Sequence, residues 1–295
     1  MSRLYYAERN GLLNSELNLD LDNLLKSYRQ IYDYFNNQGF YEPAFRGVWR
    51  QIPYSNDTEQ IKPPLLAPAP ETYFAVKLQS TEVWPITEYL EYYDEAILFS
   101  VIEILYDNIG YWDYNKGELI YKQPQEEYVE QVNNVLKAYR DGYYLEPSNG
   151  FIMKQPNQAL REQLKYDGSG MEPGVYEKLR TATELFYRFD SNLETKKKAI
   201  NILADVLENV RENLKTTFEA ESQEAGKKFD KEIFGIVNSY NIRHNRADQK
   251  SDYDKAIWYD WMMQYYTSTI IAYYRLNETH TILGQEDKNA VTSEG

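Results

Sequence analysis

DYDKAIWYDWMMQYYTSTIIAYYRL, residues 252–276, is the most apolar helical stretch of the chain. Its aliphatic and aromatic residues recur at steps of three and four, as they do on a helix that buries a broad face. Two earlier stretches carry the same period. In ETKKKAINILADVLENVRENL, residues 194–214, Ile200, Leu203, Val206, Leu207, Val210 and Leu214 fall in register. FDKEIFGIVNSY, from Phe229, reads as a shorter helix. The C-terminal third therefore reads as a set of helices. Ser251 and Asp252 are suited to cap its last helix. The polar end, EDKNAVTSEG, reads as a frayed tail. Lys196, Lys197 and Lys198 stand near a helix start, where the helix dipole disfavours cations; they read as a solvated face or a contact.

The N-terminal half is mixed. Residues 19–37 place Leu21, Leu24, Leu25, Tyr28, Ile31, Tyr32 and Phe35 on one helical face, with Gly39 suited to the C-terminal cap. Residues 53–71 hold five of the chain's eleven prolines and read as an extended loop, which Leu65 and Leu66 can anchor. Residues 84–108 predict a broad-faced helix with Pro85 in its first turn. GELIYKQP reads as a brief strand, EEYVEQVNNVLKAYRDG as a helix, and YYLEPSNGFIMKQ as a β-hairpin around Pro-Ser-Asn-Gly. YDGSGMEPG, residues 166–174, reads as a flexible connector. The expected fold is therefore mainly α: an α+β domain with a small β-hairpin over residues 1–180, a helical bundle over 181–283, and a polar tail over 284–295.

Composition limits the chemistry. The 295 residues include no cysteine and only two histidines, His244 and His280. A disulfide scaffold, a cysteine nucleophile and a thiolate metal site are excluded, and no metal or other cofactor is expected. The formal net charge of −14 argues against nonspecific nucleic-acid binding over the whole surface, though a local basic patch is compatible with it. No apolar run is long enough to span a bilayer, and the N-terminus lacks a secretory h-region, so the expectation is a cytoplasmic protein with no membrane partner. The 29 tyrosines recur at helical spacings beside aliphatic residues, as at Tyr89, Tyr92 and Tyr93 or Tyr265, Tyr266, Tyr273 and Tyr274. Amphipathic rings at core edges account for that spacing better than base stacking does. Phosphate-loop, HExxH and GxSxG signatures do not occur.

The polar stretch before the last helix, NSYNIRHNRADQKSDYD at residues 238–254, carries the candidate chemistry in Arg243-His244-Asn245. Together with ILADVLENVRENL, FGIVNSYNIRHN and the last helix, it resembles the HEPN superfamily of bacterial helical bundles over about residues 190–280. More narrowly, these segments, MSRLYYAERNGLL and VWPITEYLEYYDEAILFSVIEILYDNIG resemble uncharacterised bacterial proteins related to abortive-infection (phage-defence) factors. The resemblance implies a homodimer through the C-terminal helices and metal-free RNA chemistry. A histidine would move the proton of the 2′-hydroxyl, and an arginine would stabilise the phosphorane.

On that pattern Arg243 and His244 are the catalytic candidates. Asn245, Arg246 and Lys250 are substrate contacts, and Lys227, Lys228 and Lys231 extend a basic patch. The chain departs from the pattern at its second histidine, where Asp248, Gln249 and Lys250 stand. The functions left open are a HEPN-like defence protein that binds RNA or cuts it without a metal, a catalytically inactive helical module that binds another protein, and an acidic nucleic-acid mimic. A structural role for Arg243-His244-Asn245, as a polar connector between two helices, stays open beside them.

Overall fold

The computed structural model describes residues 5–10, 12, 17–240, 242 and 252–293, with 8, 223, 225–227, 230, 237–239 and those from 281 onward described by their backbone. The chain is mainly α-helical, with two-stranded antiparallel hairpins among the described residues. It divides into two compact units, Met1–Gln155 and Pro156–Gly295. The sequence puts this boundary near residue 180, inside what proves to be a helix over Pro173–Tyr187. Leu179, Ala182 and Phe186 on that helix are buried in the second core, which draws the boundary back to residue 155.

In the first unit, α1 (Tyr6–Arg9) is a single turn and α2 (Leu21–Asn37) is the predicted amphipathic helix. The Asp20 carboxylate accepts from the Asn23 amide and starts α2. The face that α2 buries is Leu24, Leu25, Tyr28, Ile31, Tyr32 and Phe35. A short α3 (Glu42–Phe45) leads into β1 (Val48–Gln51), which pairs antiparallel with β2 (Thr58–Lys62). The proline-rich segment is thus part strand. Beyond β2 it does wrap the surface: the Leu65 and Leu66 amides donate to the Pro43 and Ala44 carbonyls, both at 3.1 Å. Leu66 is fully buried and is the anchor.

Next come α4 (Pro70–Leu78), α5 (Ile86–Tyr89), a 3-10 turn (Leu90–Tyr92) and α6 (Glu95–Asn108). The single helix expected over 84–108 is therefore broken. Tyr93 turns extended, with its hydroxyl donating to the Val83 carbonyl at 2.5 Å, and the Asp94 carboxylate accepts from the Ile97 amide to begin a new helix. The hairpin β3 (Tyr111–Asp113) and β4 (Glu118–Ile120) precedes α7 (Lys122–Leu136), and the predicted hairpin follows as β5 (Tyr143–Leu145) and β6 (Ile152–Lys154).

The second unit contains α8 (Gln158–Leu164), α9 (Pro173–Tyr187), α10 (Leu193–Asn209), α11 (Arg211–Glu221), α12 (Gln223–Ser239) and α13 (Lys255–Ser293). α10 packs on α9 and α13, and α11 packs on α12 and α13. The helix read over 194–214 is two helices, joined at Val210, whose backbone leaves the helical region at φ −100° and ψ 8°. The connector over 166–174 is tied down: Met171 is buried, and the Tyr166 hydroxyl donates to Glu278 at 2.9 Å. Helix α13 starts two residues later than expected. Asp254 accepts from the Ala256 and Ile257 amides at 3.0 and 3.1 Å, and Asp252 lies in a bend. Ser251 lies outside the described residues. The last helix continues to Ser293, through most of the segment expected to fray.

Candidate functional site

Arg243, His244, Asn245, Arg246 and Lys250, with Asp248 and Gln249, lie outside the described residues. Both flanks of that segment are described, and an aromatic cluster joins them. On the leading side, α12 ends in a turn at Tyr240, whose amide donates to the Ile236 carbonyl at 3.1 Å. Ile242 then enters the second core. On the trailing side, the Tyr253 hydroxyl donates to the Tyr240 carbonyl at 2.7 Å. The two rings meet edge to face at 5.2 Å, and Trp258 stacks on Tyr240 at 4.4 Å. Burial raises the Tyr253 phenol above its usual pKa, and the neighbouring Tyr259 hydroxyl adds to the rise. Tyr253 therefore stays neutral and keeps its proton for the Tyr240 carbonyl.

The ladder of rings continues outward along α13. Trp258 meets Trp261 edge to face at 5.5 Å, and Trp261 stacks on Tyr265 at 5.2 Å with an interplanar angle of 9°. These positions, spaced three and four apart, lie on one helix face. Trp261 is 42% exposed, and Ile257 one turn earlier is 67% exposed, so this start of α13 presents apolar surface to solvent. The spacing of Trp258, Trp261 and Tyr265 is visible in the sequence. The pairing of Tyr240 with Tyr253 across the intervening segment is not.

The other candidate residues are accounted for locally. Lys196 pairs with Asp260 at 3.0 Å, and its ammonium lies 4.6 Å from the centre of the Phe186 ring. That explains the lysine near the start of α10: its partners are on other helices. Lys228 pairs with Glu224 at 3.2 Å, one turn away on α12, and Lys231 is exposed. The side chain of Lys227 lies outside the described set.

The His280 ring nitrogen Nε2 donates to the Glu221 carboxylate at 2.8 Å. At 1.5 Å per residue, about 39 Å of α13 separates it from Asp254, so within one chain it serves a different end of the bundle. Among the described residues, no group of three histidine, aspartate or glutamate side chains is arranged to hold a metal ion, and no helix is long and apolar enough to cross a membrane. No family model, curated protein or solved structure matches the chain.

Proposed function

We propose that this chain is a HEPN-like defence protein of the abortive-infection type that binds RNA through Arg243, His244, Asn245, Arg246 and Lys250. The observation that carries the reading is the Tyr253–Tyr240 hydrogen bond, which closes the two flanks of this basic segment together at the head of α13. A fixed span between the two flanks lowers the entropy that phosphate binding across it has to offset. The RNA chemistry itself rests on the sequence resemblance.

Binding without cleavage is the expected activity. Asp248, Gln249 and Lys250 occupy the places of the second histidine, and none of them titrates near neutrality without a large shift. The test is incubation of the purified chain with total RNA in EDTA. RNA is expected to be retained and to remain intact, and Arg243→Ala and His244→Ala to weaken retention while the helical circular dichroism stays unchanged. No retention by the wild-type chain would overturn the proposal. Cleavage that disappears in both variants would overturn only its catalytic part.

A second reading, a protein-interaction module, draws on a separate observation: the exposed Ile257 and Trp261 on α13. It requires a protein ligand whose binding is lost in Trp261→Ala and kept in Arg243→Ala.

A further inference from the structure

A groove of about 580 Å³ runs through the first unit, between the Pro63–Leu65 stretch and the β3–β4 hairpin. Its volume falls within the usual range of ligand sites. Pro43, Pro63, Pro64 and Leu65 form one wall. Prolines have no N–H to offer, and the Leu65 and Leu66 amides are spent on the Pro43 and Ala44 carbonyls. That wall therefore donates no hydrogen bond.

The side-chain donors among the lining residues are the Trp112 indole, the Tyr121 hydroxyl and the Lys62 ammonium. Among the described residues none of the three has a hydrogen-bond or ion-pair partner. Neighbouring aromatics do. The Trp49 indole donates to the Arg46 carbonyl at 2.8 Å, and the Tyr114 hydroxyl donates to the Trp49 carbonyl at 2.7 Å. The second of these bonds ties β1 to the turn of the β3–β4 hairpin, so the two walls are held together before any ligand arrives. At the foot of β1, Gly47 has φ +77°, and a Cβ there would lie 2.4 Å from the Lys62 carbonyl. The backbone that brings Lys62 to the groove is thus packed against a position that only glycine fits.

The matching ligand is extended and apolar, offers carbonyl acceptors, and asks for no acceptors in return. A polyproline II segment has that character: it has no internal hydrogen bonds, its prolines lack donors, and aromatic-lined grooves recognise it. Charge adds one contact. The Lys62 ammonium has no ion-pair partner among the described residues, whereas Glu118, which also lines the groove, lies 4.0 Å from Lys116. We propose that this groove binds a proline-rich peptide in the polyproline II conformation, with a peptide carboxylate placed at Lys62.

The test is fluorescence anisotropy on the full-length chain with a labelled polyproline peptide carrying one aspartate. A glycine–serine peptide of equal length and charge is the control. Saturable binding is expected for the first peptide only. Trp112→Phe, Tyr121→Phe and Lys62→Met each remove one side-chain donor, and each is expected to weaken binding by about tenfold, the worth of one such bond. Thermal melts that match wild type keep the comparison valid. The proposal is overturned if the control binds equally, if neither peptide binds, if the variants bind as well as wild type, or if a small aromatic carboxylate such as phenylacetate displaces the peptide at equal concentration.

Discussion

At the residue scale, the tyrosines of the first core differ in what their hydroxyls do. The Tyr128 hydroxyl donates to the Ile102 carbonyl at 3.2 Å and lies 2.7 Å from that of Tyr28, which donates to it in turn. Tyr41 is equally buried and stacks on Tyr32 at 5.5 Å, yet its hydroxyl makes no well-formed hydrogen bond, though it lies near Tyr128. Tyr128→Phe leaves the Tyr28 hydroxyl without its acceptor and is expected to cost about 1–3 kcal/mol. Tyr41→Phe removes a hydroxyl that returns little, and is expected to change stability by less than about 0.5 kcal/mol. Urea denaturation of the two variants measures the contrast.

The same burial has a pH consequence. Desolvation lifts the phenols of Tyr28, Tyr41 and Tyr128 well above their usual value, and it lifts Tyr32 to about 12 with a smaller contribution from Asp33. A group whose pKa is raised by folding contributes its stability below the unfolded value and loses it above. The unfolding midpoint is therefore expected to fall as pH rises past about 10, the ordinary phenol pKa. A midpoint that stays level from pH 9 to 12 would contradict this account.

At the element scale, the breaks matter more than the helices. Asp94 and Asp254 each start a helix at a position that periodicity alone does not single out. Periodicity registers which face is buried, and it continues across a break when both pieces pack on the same core. That is why residues 84–108 and 194–214 each read as one helix and are in fact interrupted. Asp254→Ala is expected to cost about 1 kcal/mol, the usual worth of an N-cap side chain. Because α13 begins beside the Tyr253–Tyr240 bond, the same variant is expected to speed amide exchange at Ala256 and Ile257 more than at Ile270. Hydrogen-exchange mass spectrometry reads this directly.

At the scale of the whole molecule, the chain consists of two units with separate cores. The second holds the helices α8–α13 and both flanks of the basic segment. If RNA is bound there, residues 156–295 produced alone are expected to unfold cooperatively and to retain RNA as the full chain does. A fragment that folds and retains none would assign RNA binding elsewhere.

What the sequence determined by itself was the mainly helical fold, the faces of α2, α6, α7, α10 and α13, and the β5–β6 hairpin. Each follows from interactions between residues close in the chain: a period of three and four, a cap, a Pro-Ser-Asn-Gly turn. The chemical candidates at Arg243 and His244 were equally legible as residue types. Tertiary structure alone decided the boundary at residue 155, the pairing of β1 with β2, the closure of Tyr240 on Tyr253, and the groove that unites Lys62, Trp112 and Tyr121. Those depend on partners far apart along the chain or on which donors the fold leaves unspent, and neither is written in local periodicity.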